Sequence, residues 1–280
     1  MKTKTINSYQ DKHYGYSHMV DYPPFSPQPL HSHTCCEIFC VYSGNGEYIT
    51  EGARHKLQFG KLFLMRPGEF HMPSLSNNEA YDRLTIHFDL DFIDPIDKER
   101  CLVKPFFERP LGTNNVYSRQ TLASSAVYEI LGKMDKIDTS KQDADVKFKI
   151  QFFLLLEEIN NLFDHRLYEK NPERTTRISK IIEYINSHIT DSLSVNEICD
   201  KFYISRSQLN RNFNSLTGSS VWEYITNKRF DLVKQYTNSG MSLVNASSAA
   251  GFGDYSAFYR AYTKKYGMSP SKKLNVQKTN

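Results

Sequence analysis

Hydrophobic and polar residues follow three different rhythms along this chain. From about residue 15 to residue 100 the rhythm is short. EIFCVYSGNGEYIT (Glu37–Thr50) reads as two strands around Ser43-Gly-Asn-Gly46, where glycine and asparagine tolerate positive φ. HKLQFGKLFLMRPGEFHMPS (His55–Ser74) is punctuated by Gly60 and by the turn in RPGEF, and RLTIHFDLDF (Arg83–Phe92) alternates like a half-buried strand. Many short strands with Gly/Pro punctuation favour a small barrel or sandwich over a parallel α/β sheet.

From about 118 to 168 the period becomes helical. A helix is expected over Leu122–Met134. Val146, Ile150, Phe153 and Leu154, then Ile159, Leu162, Phe163 and Leu167, keep helical spacing. FFLLL (Phe152–Leu156) is apolar around most of the circumference, so this helix must be covered on more than one side. Its outer stripe either packs on the β region or forms a homodimer seam. Glu169–Thr176 is polar with a proline, as in a linker.

From Arg177 onward the chain is densely helical. Ile178, Ile181, Ile182, Ile185 and Ile189 make one apolar stripe. Ser194-Val-Asn-Glu197 fits a capping box, and Ser205-Arg-Ser-Gln208 repeats the signature after a break at Phe202–Ile204. Two short helices with so short a connection form a helix-turn-helix. A long helix from about Ser220 to Thr237 follows, then a short helix over Ser242–Ala250, a break at Gly251-Phe-Gly, and a helix over Tyr255–Tyr266 capped by Asp254. The arrangement is an internal repeat. QLNRNFNSLTGSS (Gln208–Ser220) aligns without a gap on AFYRAYTKKYGMS (Ala257–Ser269), matching Leu209 with Phe258, Arg211 with Arg260, Phe213 with Tyr262 and Gly218 with Gly267.

Charge sharpens the division. The net +4 is the sum of −3 up to Asn171 (Lys+Arg 20, Asp+Glu 23) and +7 from Pro172 (15 against 8), so the C-terminal part is suited to a polyanion. No apolar run is long enough for a membrane span and MKTKTINSYQ lacks a signal-peptide core, which leads to the expectation of a cytoplasmic protein. The five cysteines follow no paired pattern and are read as free thiols.

Arg177 to about Leu274 resembles the DNA-binding domain of the AraC family of transcriptional regulators. The resemblance rests on LSVNEICDKFYISRSQLNRNF, on GSSVWEYITNKRF and above all on GFGDYSAFYRAYTKKYGMSP. It implies two helix-turn-helix units joined by a central helix, here carrying Trp222, Tyr224 and Arg229, with one helix of each unit in a major groove. Ser207, Asn210 and Arg211 would then face DNA from the first unit, and Tyr255, Ser256, Tyr259 and Arg260 from the second. Lys264, Lys265, Lys272 and Lys273 are candidates for phosphate contact. This chain departs from the family at Ala246-Ser247, where Ile-Ala is usual, at Cys199 in place of a small alanine, and at Leu274 in place of the closing arginine.

HSHTCCE (His31–Glu37), the glycines that follow and PGEFH ending at His71 resemble the cupin barrel of sugar-responsive AraC relatives. His31, His33, Glu37 and His71 match the places that metal-binding cupins use, although Leu75 stands where an asparagine is expected. Three uses remain open for these residues: hydrogen bonding to a small polar effector, Zn, Fe or Mn ligation, or a structural role at the barrel mouth. The family implies effector binding without metal. A sugar suits histidine and glutamate groups, with Phe39, Tyr48 or Phe70 available to stack on it. Cys35-Cys36 also invites a redox reading, but no basic neighbour in the local sequence would lower a thiol pKa.

The expected architecture is α+β: a cupin-like effector barrel over 1–117, a helical dimerisation and packing segment over 118–170, and an all-α double helix-turn-helix over 171–280. The expected function is an effector-responsive DNA-binding regulator, activating a sugar-utilisation operon, with no cofactor. Expected partners are double-stranded DNA, RNA polymerase, a small-molecule effector and a second copy of the chain, with no membrane. The alternative is a cupin metalloenzyme fused to a DNA-binding domain.

Overall fold

The structure is a computed structural model and describes residues 2–26, 28, 30–51, 53–169 and 177–271. All of the expected linker over 169–176 except Glu169, and Lys272, Lys273 and Leu274, lie outside the described residues. The chain divides into two compact units, Met1–Glu173 and Arg174–Asn280.

The first unit contains β1 (Lys2–Gln10), β2 (Tyr14–Tyr22), β3 (Cys36–Ser43), β4 (Gly46–Thr50), β5 (Ala53–Lys56), β6 (Leu62–Met65), β7 (His71–Leu75), β8 (Tyr81–Phe88) and β9 (Val116–Tyr117). The strands make a six-stranded sheet in the order β1-β2-β8-β3-β6-β9 and a three-stranded sheet in the order β5-β4-β7. The expected barrel is therefore not closed. Two sheets share an apolar layer in which Phe39, Val41, Phe63 and Tyr81 of the larger sheet meet Tyr48 of the smaller.

The turn Ser43–Gly46 is the reason. It does not close a hairpin: β3 pairs with β6 and β8, whereas β4 pairs with β5 and β7. The chain crosses from one sheet to the other there, and only glycine fits. Gly46 has φ +142°, and a Cβ on it would lie 2.1 Å from the Ser74 carbonyl oxygen.

Helices α1 (Leu90–Ile93), α2 (Lys104–Phe107), α3 (Arg119–Ala123), α4 (Val127–Asp135) and α5 (Ala144–Asp164) complete the unit. The single helix expected over Leu122–Met134 is broken in two. Ser124 and Ser125 turn their hydroxyls back onto the Thr121 and Leu122 carbonyls, a competing local bond that favours an end over a continuation. Helix α5 buries Phe148, Phe152, Leu155, Leu156, Ile159 and Leu162 against the larger sheet and its neighbouring helices. Its opposite face leaves Val146, Ile150 and Leu154 at 56%, 52% and 41% exposure.

The second unit is helical: α6 (Arg177–Ser187), α7 (Val195–Lys201), α8 (Arg206–Thr217), α9 (Val221–Asn238), α10 (Leu243–Ala249) and α11 (Tyr255–Tyr266). Both halves of the capping box form, with Ser194 Oγ accepting from the Glu197 amide and Glu197 accepting from the Ser194 amide. The two helix-turn-helix turns close alike: the Ile204 amide donates to Cys199 O and the Phe252 amide to Ser247 O, each leaving a residue of positive φ (Tyr203, Gly251) before it. Gly251 is required, because a Cβ there would come within 2.9 Å of Ile189 and Thr190 backbone atoms. Helix α9 serves both halves. Tyr224 meets Phe213 of α8 edge-on, Phe230 and Val233 pack with Phe258 and Tyr262 of α11, and buried Arg229 donates to the carbonyls of Ile189 and Asp191. Trp222 of the same helix is exposed, while Ala246 and Ser247, where the chain departs from its family, are buried.

Candidate effector cavity and DNA-reading helices

The strand alternation of β8 sends Leu84, Ile86 and Phe88 into the core and Arg83, Thr85 and His87 to the other face. That face borders a cavity of about 260 Å³. His31, His33 and Glu37 line it, with Phe25, Phe39, Tyr48 and Tyr81 as its aromatic wall. Of the three aromatics considered for stacking on a ligand, Phe39 and Tyr48 border the cavity, and Phe70 is buried outside its lining. Phe39 and Tyr48 lie against each other, centroids 4.5 Å apart and planes within 13°.

His31, His33, Glu37 and His71 come together. His31 and His71 exchange backbone hydrogen bonds (3.1 and 2.9 Å), which sets their rings 4.6 Å apart. Glu37, buried, has His33 Nε2 at 2.9 Å, His87 Nε2 at 3.0 Å and His71 Nε2 at 3.3 Å, all from Oε2. Burial would raise the Glu37 carboxyl, but His71 above all, with the hydrogen bonds from its histidine neighbours, holds it well below the usual carboxylate range. Burial lowers His71 in turn, and the Glu37 charge more than compensates, so its pKa rises.

The position of His71 is inherited from a buried ion pair. Its Nδ1 is 2.8 Å from the Glu69 carbonyl oxygen. The Glu69 side chain meets Arg109 through two bonds of 2.8 and 2.7 Å, both side chains fully buried, and also accepts from the Arg66 and Gly112 amides. Arg109 further donates to the carbonyls of Pro105, Leu64 and Thr113.

At another part of the cavity wall, Arg83 donates through Nη2 to buried Asp21 at 2.9 Å and lies over the Tyr81 ring. Its Nη1 is buried without a hydrogen-bond partner. Asp21 also accepts from Thr3 of β1. Arg83 and His87 were legible in the alternation of RLTIHFDLDF, yet a search confined to HxH-type spacing passes over them. Cys35 and Cys36 are free thiols, and burial pushes the Cys36 thiol well above its ordinary value, against a reactive thiolate.

In the second unit, Ser205 caps α8 by accepting from the Gln208 amide, and Asp254 caps α11 by accepting from the Ala257 amide at 2.6 Å. Ser207 and Arg211 on α8, and Ser256, Tyr259 and Arg260 on α11, are exposed. Asn210 and Tyr255 are half-buried, Tyr255 packing against Phe258. Arg206 and Gln208, exposed in the first turn of α8, join this face although the alignment of the repeats did not single them out; Lys264 and Lys265 are exposed at the far end of α11. The N-terminal halves of both second helices thus present amide, hydroxyl and guanidinium groups able to reach base edges and phosphates.

A β unit with a polar cavity and a helical unit with two helix-turn-helices define a ligand-responsive, DNA-binding transcription regulator. Residues 16–143 match the AraC-like ligand binding domain, and residues 198–275 match the helix-turn-helix domain. The chain thus carries an AraC-like ligand-binding domain followed by a helix-turn-helix domain, the domain pair of AraC-type transcriptional regulators. It is similar to the Msm operon regulatory protein of Streptococcus mutans, 35% identical over 108 residues and 38% of each chain. It is also similar to the HTH-type transcriptional activator RhaS of Escherichia fergusonii, 24% identical over 251 residues and 86% of each chain. RhaR of Escherichia coli K12 is 22% identical over 260 residues, 89% of this chain and 88% of that one. Among solved structures, an apo ToxT variant from Vibrio cholerae aligns over 94% of this chain and 97% of its own at 15% identity and TM-score 0.39. The DNA-binding domain of AdpA, in complex with a target DNA, aligns over 36% and 93% at 20% identity and TM-score 0.34.

Proposed function

We propose that the chain is a cytoplasmic, homodimeric activator of a carbohydrate-utilisation operon, with a sugar as effector and with the N-terminal unit sensing rather than catalysing. The cavity carries the effector assignment. It combines hydrogen-bonding groups of both kinds (Glu37, Asp21, His31, His33, Arg83) with aromatic faces able to stack on a pyranose. The curated relatives RhaS and RhaR, named as transcriptional activators, support activation, which would act through contact with RNA polymerase. Among the described residues no helix is long and apolar enough to cross a membrane. The exposed stripe Val146, Ile150, Leu154 supports self-association through α5.

Ser207, Asn210 and Arg211 read one half of the DNA site and Ser256, Tyr259 and Arg260 the other, with half-buried Tyr255 bracing its helix at the surface. The effector acts by binding one arrangement of the dimer better than another, shifting which half-sites are spanned. Arg211→Ala and Arg260→Ala each cost about 1–3 kcal/mol of discrimination if they contact bases. Footprinting on the target promoter tests this, and sequence-specific binding that survives both changes would overturn the assignment. A sugar present at about 100 times its dissociation constant adds about 2.7 kcal/mol of stability, read as a raised thermal midpoint. No shift with any member of a pentose and hexose panel would remove the sugar reading.

A further inference from the structure

Strand β7 lies at an edge of the smaller sheet, and among the described residues a single bridge, His31 to His71, caps its open side. Those two residues exchange both backbone hydrogen bonds, whereas Phe70 O and the Ser76 amide bond towards β4, with Glu51 and Asn45. Backbone groups alternate sides along a strand, so Pro73 and Leu75 turn theirs outward, the same way as His71. Continuing the register from His31 would bring Pro29 opposite Pro73 and Pro27 opposite Leu75. Three of those four residues are prolines without an N–H, so three of the four donors a ladder needs there are missing.

Beyond the bridge a space opens. A cavity of about 220 Å³ is lined by residues 72–75 on the strand and by Phe25, Ser26 and Gln28 of the earlier segment. Asn77 also lines it, its Oδ1 accepting from the Phe25 amide at 2.6 Å. This space adjoins the effector cavity, since Phe25, Ser26, Gln28, Pro73 and Leu75 border both. The chemistry of the two differs. Asp21, Glu37, Arg83 and histidines line the first. No charged side chain lines the second among the described residues; it offers hydroxyl and amide groups beside Phe25, Met72 and Leu75.

Size points the same way. At about 260 Å³ the first cavity alone falls short of the range of about 300–1,000 Å³ usual for ligand pockets, and with the second it lies inside that range. Hydroxyls and amides beside apolar faces suit an uncharged, hydroxyl-bearing ring. A phosphate or carboxylate would lose its hydration there with no cation to meet it.

We propose that the effector is a disaccharide, with one ring in the charged cavity and the other in the space along β7. The inference rests on the sugar reading and adds to it the length of the ligand and the place of its second ring. Pro73 O, turned outward, accepts from a hydroxyl of that ring, Ser26 and Gln28 supply side-chain partners, and Phe25 borders both rings.

Calorimetry on the full-length chain tests this with maltose, cellobiose, lactose, melibiose, sucrose and trehalose. Each is compared with its component monosaccharides, beside the pentose and hexose panel and glucose 6-phosphate. At least one disaccharide should bind about tenfold or more tightly than any monosaccharide. A monosaccharide that binds as tightly as every disaccharide overturns the inference and leaves the sugar reading standing. Glucose 6-phosphate binding more tightly than every disaccharide overturns the uncharged second ring. Binding by no sugar at all overturns both readings. Met72→Trp, which fills only the second space, should abolish the disaccharide's advantage and leave monosaccharide affinity within about twofold, while Met72→Leu retains the advantage. An advantage that survives Met72→Trp in a chain of native far-UV circular dichroism overturns the placement. The ligand comparison on the unaltered chain needs no variant to fold.

Discussion

Arg109→Met removes a buried cation and leaves Glu69 buried and unpaired. Breaking such a pair from one side costs about 3–5 kcal/mol, because the remaining charge has lost its compensation. Arg109 also serves the carbonyls of Pro105, Leu64 and Thr113, so the upper half of that range, about 4–5 kcal/mol, applies. With a urea dependence of about 2 kcal/mol per molar, the midpoint of the first unit drops by about 2 M. Far-UV circular dichroism follows the loss of the first unit's strands and helices on top of the helical signal of the second. The single tryptophan, Trp222, lies in the second unit, and its fluorescence gives an internal control expected not to move.

A pH series distinguishes lost charge compensation from lost packing. Burial raises the Glu69 carboxyl, and Arg109 more than reverses this, holding it below its ordinary value. The stabilisation is therefore complete above about pH 4.3, the ordinary glutamate value, and is lost as pH falls towards the folded-state value. In the variant burial is opposed only by the Arg66 and Gly112 amides, the carboxyl rises, and stability gains less, or falls, as pH climbs past the same point. The gap between the two proteins is widest near neutrality and narrows near pH 4. Arg109→Met with Glu69→Leu should recover more than half of the loss. A single variant costing under about 1 kcal/mol, or a double variant no better than the single, would refute this account of the ion pair.

Three further outcomes follow from the geometry. Burial lowers His18, but Asp135 and Asp82, both at 2.8 Å, raise its pKa overall. Its contribution is complete below about pH 6.5 and is lost as pH rises through the folded value, so thermal midpoints should fall between pH 6 and 8.5. His18→Gln should flatten that slope in part, since His71 has the same sign, and an unchanged slope would exclude His18 as a source. Gly46→Ala forces a Cβ onto the Ser74 carbonyl at φ +142° and should cost roughly 1–3 kcal/mol in urea denaturation, where a neutral change would contradict the crossing geometry. Ile150→Asp, at the centre of the exposed α5 stripe, should convert a dimer to a monomer by analytical ultracentrifugation without lowering the thermal midpoint of a diluted sample; an intact dimer would place the seam elsewhere.

The helical unit was the more legible half because its signals are local. Ser194 with Glu197, Ser205, Asp254 and the glycine after each repeat lie within a turn of what they control. The β unit depends on partners far apart in sequence. Nothing in SGNG distinguishes a hairpin from a crossing between sheets until Ser74 lies against Gly46. The chain before residue 15 reads as polar, since an edge strand with most of its side chains in solvent has no apolar period to detect, and β1 is therefore missed. His31, His33 and Glu37 could be chosen by spacing and His71 through the cupin resemblance, whereas Arg109, whose bond to Glu69 spans 40 residues, could not be chosen by either.

Strand β1 gives the start of the chain a mechanical role. Near its beginning, Thr3 holds the Asp21 carboxylate that Arg83 grips at the cavity wall. Midway, the Asn7 amide spans the carbonyls of Met134, Asp135 and Ile137 at the end of α4. Near its end, the Tyr9 hydroxyl donates to Asp145 in the first turn of α5. A single extended segment thus ties the cavity-lining guanidinium to the helix that carries the exposed stripe, along a path stiffened by its ladder to β2. Trimming the chain to Tyr14 would remove all three attachments at once.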